Sequence, residues 1–104
     1  MSRQFRKRAV DQRVLAVDFA DQLNPGETVV ASNARGSLSV AVADASGADM
    51  TAAMIDGAPA VVAGTSVAFM ARAGAVGPLY YVTVVAPTSD AEILSDRIPL
   101  EVVP

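Results

Sequence analysis

The sequence predicts an all-β domain, an antiparallel β-sandwich of about seven strands, and three observations carry that expectation. Residues 64–86 hold two apolar runs around a turn built on Gly74, Gly77 and Pro78. In the first run Val67, Phe69 and Ala71 alternate with Ser66, Ala68, Met70 and Arg72; in the second Tyr80, Val82, Val84 and Ala86 alternate with Tyr81, Thr83 and Val85. Alternation with period two is the signature of a strand with one face in a core. The same rhythm recurs along the rest of the chain in short stretches bounded by Gly, Pro, Asn and Asp, the spacing expected of a sandwich. Finally, the 104 residues are enough for one domain with a modest core.

Residues 1–13 read as an extended basic N-terminal arm, and residues 14–104 as the sandwich domain. The arm holds Arg3, Arg6, Lys7, Arg8 and Arg13 against Asp11, a balance of +4, while the remainder carries three Arg against ten acids, or −7. A basic arm on an acidic body points to docking on something acidic. An identical neighbouring subunit fits better than nucleic acid, because Phe5 is the only aromatic residue in the arm. The arm is expected to extend away from the sandwich, with Arg3, Arg6, Lys7 and Arg8 facing acids and Phe5 as the apolar anchor.

Residues 14–20 alternate, with Leu15, Val17 and Phe19 on the buried face. Asn24, Pro25 and Gly26 supply a turn, since proline presets φ and glycine permits positive φ. Residues 27–32 form a short second strand, and residues 37–43 a third, with Leu38, Val40 and Val42 on one side. Residues 50–55 (MTAAMI) read as a strand between strands. The alternative is a short helix capped by Asp49, with Met50 and Met54 one turn apart and Gly57 ending it. Residues 60–63 are a stub before the pair in residues 64–86, which we expect to be hydrogen-bonded to each other. Residues 97–103 close the fold with Ile98, Leu100 and Val102 inward. Pro99, lacking an N–H, is expected at an edge or a bulge, in a strand paired on one side.

Composition narrows the function. Cysteine and histidine are absent, which removes thiolate metal sites, the Ser-His-Asp triad and the usual general base. No metal and no cofactor are expected. The acid pairs Asp90 with Glu92 and Asp18 with Asp21 lie in turns without a partner base, so an enzyme is not expected; oxygen ligation of calcium there is the remaining metal reading. No apolar run is long enough to span a membrane, and the basic N-terminus lacks an apolar signal core. Apolar residues make up 52% of the chain against about 45–50% with glycine included in an average domain, so part of that surface is expected to meet a partner.

Read in order, the chain resembles a family: the small immunoglobulin-like proteins of tailed bacteriophages, at the neck or tail, including fiber-tail adaptor proteins. The resemblance rests on Asp18-Phe19, Leu23, Gly26-Glu27-Thr28, Gly64-Thr65, Gly77-Pro78-Leu79-Tyr80, Thr88-Ser89-Asp90 and the closing alternating strand. The chain departs from the family in having Phe19 and no Trp where members often carry one. The resemblance implies an immunoglobulin-like sandwich, with Phe19, Phe69, Gly77 and Tyr80 in structural roles. Tyr80 would pack its ring in the core and bond a nearby backbone group with its OH, as in a tyrosine corner. It also implies a non-enzymatic virion structural protein, made in the host cytoplasm, that joins ring components or fibers. Its partners would be other virion proteins and copies of itself in a ring-like assembly. The alternative is a carbohydrate- or receptor-binding module on the particle surface, for which Tyr81 and Phe5 are the candidate aromatic platforms.

Overall fold

The computed structural model describes residues 4–104 of the chain, so Arg3 lies outside the described residues. The fold is all-β, with antiparallel sheets packed over one core. In chain order the elements are β1 (Phe5–Arg8), β2 (Arg13–Asp18), a 3-10 turn (Ala20–Gln22), β3 (Ser32–Asn33), β4 (Gly36–Ser37), β5 (Ser39–Asp44), α1 (Thr51–Met54), β6 (Ile55–Val62), β7 (Ser66–Ala71), β8 (Leu79–Pro87) and β9 (Ile93–Val103). One sheet has the order β1-β9-β8-β5 and the other β2-β7-β6, while β3 and β4 form a small hairpin.

Alternation decides what faces inward. Leu15 and Val17 from β2, Val67, Phe69 and Ala71 from β7, and Val40 and Val42 from β5 are buried. Tyr80, Val82, Val84 and Ala86 from β8 and Ile98, Leu100 and Val102 from β9 are buried with them. Burying a side chain of this size contributes about 1.5–3 kcal/mol. The inward residues predicted for residues 64–86 are all in place, but β7 and β8 are not hydrogen-bonded to each other. β7 pairs with β2 and β6, β8 with β5 and β9. Both strands have one apolar face, and residues 72–78 carry the chain from one sheet to the other so that those faces meet across the core. Gly74 sits in that crossing at φ +96, where an added Cβ would come within 2.9 Å of Met54 Cε and Val102 Cγ2.

Three further expectations are corrected. Residues 51–54 form a helical turn, not a strand. Asp49 Oδ1 accepts bonds from Thr51 N and Thr51 Oγ1, at 3.0 and 2.6 Å, and the turn delivers Met54 to the core with no exposure. This is the helical alternative, but its N-cap is Met50 with no side-chain cap bond and Ile55, not Gly57, follows its last residue; the chain changes sheets here between β5 and β6. The closing strand is central, not an edge: β9 pairs with β8 from Ile93 to Glu101 and with β1 from Leu100 to Val103. Pro99 lies one residue before the β1 ladder begins, so its missing N–H interrupts no pairing on that side. Residues 27–32 contribute only an isolated bridge from Val29 to Thr88 and the start of the small hairpin.

The basic arm is not extended away from the sandwich. β1 adds to β9 in parallel, with Phe5 opposite Leu100 and Arg8 opposite Val103. Phe5 meets Phe69 edge-on, with ring centroids 5.8 Å apart. The reason is an alternation inside the basic run: Phe5 and Lys7 turn inward while Arg6 and Arg8 stay exposed.

Candidate functional site

The family-like residues are scattered in sequence, but most of them meet at one end of the sandwich. Phe19, fully buried, donates its N–H to Thr65 O at 2.9 Å, and Val29 N–H goes to Gly64 O at 2.8 Å. Asp18 Oδ1 caps Ala20 N at 2.9 Å. Thr28 and Ser89 exchange two bonds, Ser89 N to Thr28 O at 2.8 Å and Thr28 N to Ser89 Oγ at 3.0 Å. Thr28 therefore ties the turn through its backbone. Thr88, with no exposure, donates its hydroxyl to Glu27 Oε2 at 2.6 Å, while Glu27 Oε1 accepts Asn24 N at 2.9 Å. Thr88 Oγ1 in turn accepts Asp90 N and Glu92 N, and Asn33 Nδ2 reaches Thr88 O and Glu92 O. The whole cluster fastens residues 24–33, which have little regular structure of their own, to the β8–β9 turn.

The carboxylates of this cluster have unequal surroundings. The Thr88 hydroxyl, followed by the Asn24 N–H, holds the Glu27 carboxyl below its ordinary value of 4.5. The hydrogen bond that Glu92 shares with Glu27, and then the Glu27 charge, push Glu92 up. Carboxylate oxygens of Glu27, Asp90 and Glu92 lie within 4.8 Å of one another, the oxygen-rich chemistry that suits a hard cation. Both oxygens of Glu27, the buried member, are however already engaged by Thr88 and Asn24.

Tyr80 and Gly77 belong to the opposite end. Tyr80 is buried, and its hydroxyl oxygen accepts Ala75 N at 2.9 Å, the bond expected from the sequence. Gly77 turns the same loop at φ +107 with open space around it. Phe69 lies between the sheets under Phe5.

The residues expected to face a partner divide. Arg6 and Arg8 are exposed, and Arg6 Nε comes within 3.9 Å of Glu101 Oε1. Lys7 is 1% exposed, and its ammonium donates to Ala73 O at 2.6 Å and Arg8 O at 2.7 Å, with Ala9 O at 3.5 Å. It clamps the end of β1 to the loop after β7. Loss of water lowers its pKa, and Asp11 opposes that in part. Phe5 and Lys7 thus face the interior, not acids on a neighbour. Sequence reasoning missed the clamp because a run of bases reads as solvated; the signal was the period-two spacing of Phe5 and Lys7, whose long apolar stem can be buried. Neither candidate sugar platform is free either: Arg97 stacks on Tyr81 at 4.1 Å from the ring centroid, and Phe5 packs on Phe69.

Fold and motif together define a small β-rich structural module, whose signature residues hold loops in place. Residues 7–101 match the family described as podophage GP4 fiber-tail adaptor protein gp77, and the chain belongs to that family. It is accordingly a component of the phage virion, with a structural role at the tail. No curated protein and no solved structure gives a match. Among the described residues no helix is long and apolar enough to cross a membrane.

Proposed function

We propose that this chain is a non-enzymatic connector of the phage tail. It joins ring components or fibers, and several copies sit around the tail in a ring-like assembly. The observation that carries the reading is the family match over residues 7–101. The assembled motif supports it: Glu27, Thr88, Ser89 and Asn33 are all engaged in tying one segment down, which suits a rigid part that transmits load.

The module is of the immunoglobulin-like type. The order β2-β7-β6 opposite β9-β8-β5 corresponds to strands B-E-D opposite G-F-C of that sandwich. Arg6 and Arg8 form the basic side presented to acidic neighbours. Phe5 and Lys7 serve this indirectly, by fixing β1 to the domain.

Cryo-EM of the intact particle tests the reading. Density for this fold between tail and fiber components is the expected result. Particles of full composition that contain no copy of the chain, by mass spectrometry, would overturn it.

A further inference from the structure

Charge is unevenly placed on the folded sandwich. The end closed by the β8–β9 turn is acidic. Its segments, residues 18–35 and 87–93, hold Asp18, Asp21, Glu27, Asp90 and Glu92 against Arg35, five acids to one base and a balance of −4. Asp21, Asp90 and Glu92 are exposed there. Carboxylate oxygens of Glu27, Asp90 and Glu92 lie within 4.8 Å of one another, so the like charge is concentrated.

The outer face of the β1-β9-β8-β5 sheet has the opposite sign. Alternation turns Arg6 and Arg8 of β1, and Arg97 and Glu101 of β9, away from the core. The outward positions of β5 and β8 carry no charge. Arg6 Nε stands beside Glu101 Oε1 at 3.9 Å, and that pair cancels. Arg8 and Arg97 remain, both exposed. Arg97 is held on the Tyr81 ring at 4.1 Å from its centroid. Arg8 is placed through its backbone oxygen, which receives Lys7 Nζ and Asp11 N. Asp11 in turn offsets the buried Lys7 charge.

These two surfaces complement each other, and one chain cannot bring its own strand end onto its own sheet face. A two-fold contact of like surfaces would oppose base to base or acid to acid. A contact of unlike surfaces lets each copy offer its acidic end to the next and its arginine face to the one before. Such heterologous contacts close into rings when the rotation between copies allows it. Each exposed ion pair contributes little alone, so the contact is sensitive to salt and gains from repetition around a ring.

We propose that the outer face of the β1-β9-β8-β5 sheet, through Arg8 and Arg97, receives the acidic β8–β9 end of a second copy of this chain. The proposal rests on the ring-like connector reading and names the two surfaces that meet. Sedimentation velocity of the purified chain tests it, with two variants checked for native circular dichroism. One reverses the face, Arg8→Glu with Arg97→Glu, and the other reverses the end, Asp21→Arg with Asp90→Arg; all four side chains are exposed. Wild type should self-associate at low salt and dissociate as salt rises and screens the charges. Each variant alone should associate about tenfold more weakly or not at all, since its two surfaces then share one sign. Mixed in equal amounts, the two should associate again, the reversed face of one meeting the reversed end of the other. Should a reversal fail to fold, Arg8→Gln with Arg97→Gln takes its place, and association equal to wild type would then overturn the proposal. So would a mixture of reversed variants that stays monomeric, a reversed variant that associates like wild type, or a wild type that is monomeric or indifferent to salt. The wild type is also offered to particles assembled without it, and the bound amount is measured by quantitative mass spectrometry. Binding there by a wild type that fails the sedimentation test would overturn this contact and leave the connector reading standing. Failure to bind the particles would overturn the connector reading itself.

Discussion

Tyr80 and Lys7 hold the same end of the molecule by different means. Tyr80 fills the core with its ring and takes the Ala75 N–H on its hydroxyl. Tyr80→Phe should therefore cost about 1 kcal/mol, the net worth of an ordinary hydrogen bond. Tyr80→Ala should cost about 3–5 kcal/mol, as truncation of a buried aromatic does. Urea unfolding of the two variants checks both figures, and their difference isolates the ring. Lys7→Met keeps an apolar stem of similar length but strips the donor from Ala73 O and Arg8 O. Leaving those carbonyls without it should destabilise the fold by about 1–3 kcal/mol, measured in the same way. The two residues were not equally legible. Gly77-x-x-Tyr80 stands before an alternating apolar strand, so its role could be read from the chain. Lys7 sits among bases, and only the sheet beneath it shows that its ammonium is turned inward onto backbone oxygens.

At the scale of elements, alternation located β2, β5, β7, β8 and β9 and the faces they bury, because period two leaves little freedom in which side meets the core. It did not say which strand pairs with which. The face pattern of residues 64–86 is the same whether the two strands lie side by side or stack across a core, and the crossing at residues 72–78 settled it. Residues 50–55 fit a strand and a short helix alike, so the choice fell to bonds made in the folded state. Thr51 Oγ1 accepts Val42 N and donates to Asp49, joining α1 to the edge of β5. Thr51→Val keeps the shape and removes both bonds, and should cost about 1–3 kcal/mol in chemical unfolding. The N-terminal run is the larger test. Deleting residues 2–8 removes β1, uncovers one side of β9 and takes Phe5 from Phe69. The shortened protein should show a clearly lowered thermal midpoint. An unchanged midpoint would mean that β1 adds nothing to the sandwich.

For the molecule as a whole, the scattered motif acts as one fastening, and its carboxylates make global stability depend on pH. Glu27 lies where residues 24–33 are tied to the β8–β9 turn, so its protonation state is felt by the segment that closes that end of the sandwich. Its folded pKa is depressed below 4.5, so the stability it contributes is fully present above that value and is lost as pH falls through the folded pKa. Asp44 and Asp49 are depressed too, chiefly by hydroxyl bonds from Ser46 and Thr51, and add to the same acid limb. Glu92 has the opposite sign: its folded pKa is raised above 4.5, so its contribution is present below that value and is lost as pH rises through the folded pKa. Stability from this pair should therefore peak in mild acid, between the two folded pKa values, and decline on either side. Glu92→Gln keeps a neutral partner beside Glu27, and should flatten the decline on the alkaline side of that window while leaving the acid limb in place. Glu27→Gln should flatten both, except for the part of the acid limb that belongs to Asp44 and Asp49. Thermal midpoints of wild type and the two variants from about pH 3 to pH 8, spanning the ordinary carboxyl values, separate these limbs. A Glu92→Gln profile that parallels wild type across the whole range would show that the two carboxyls titrate independently.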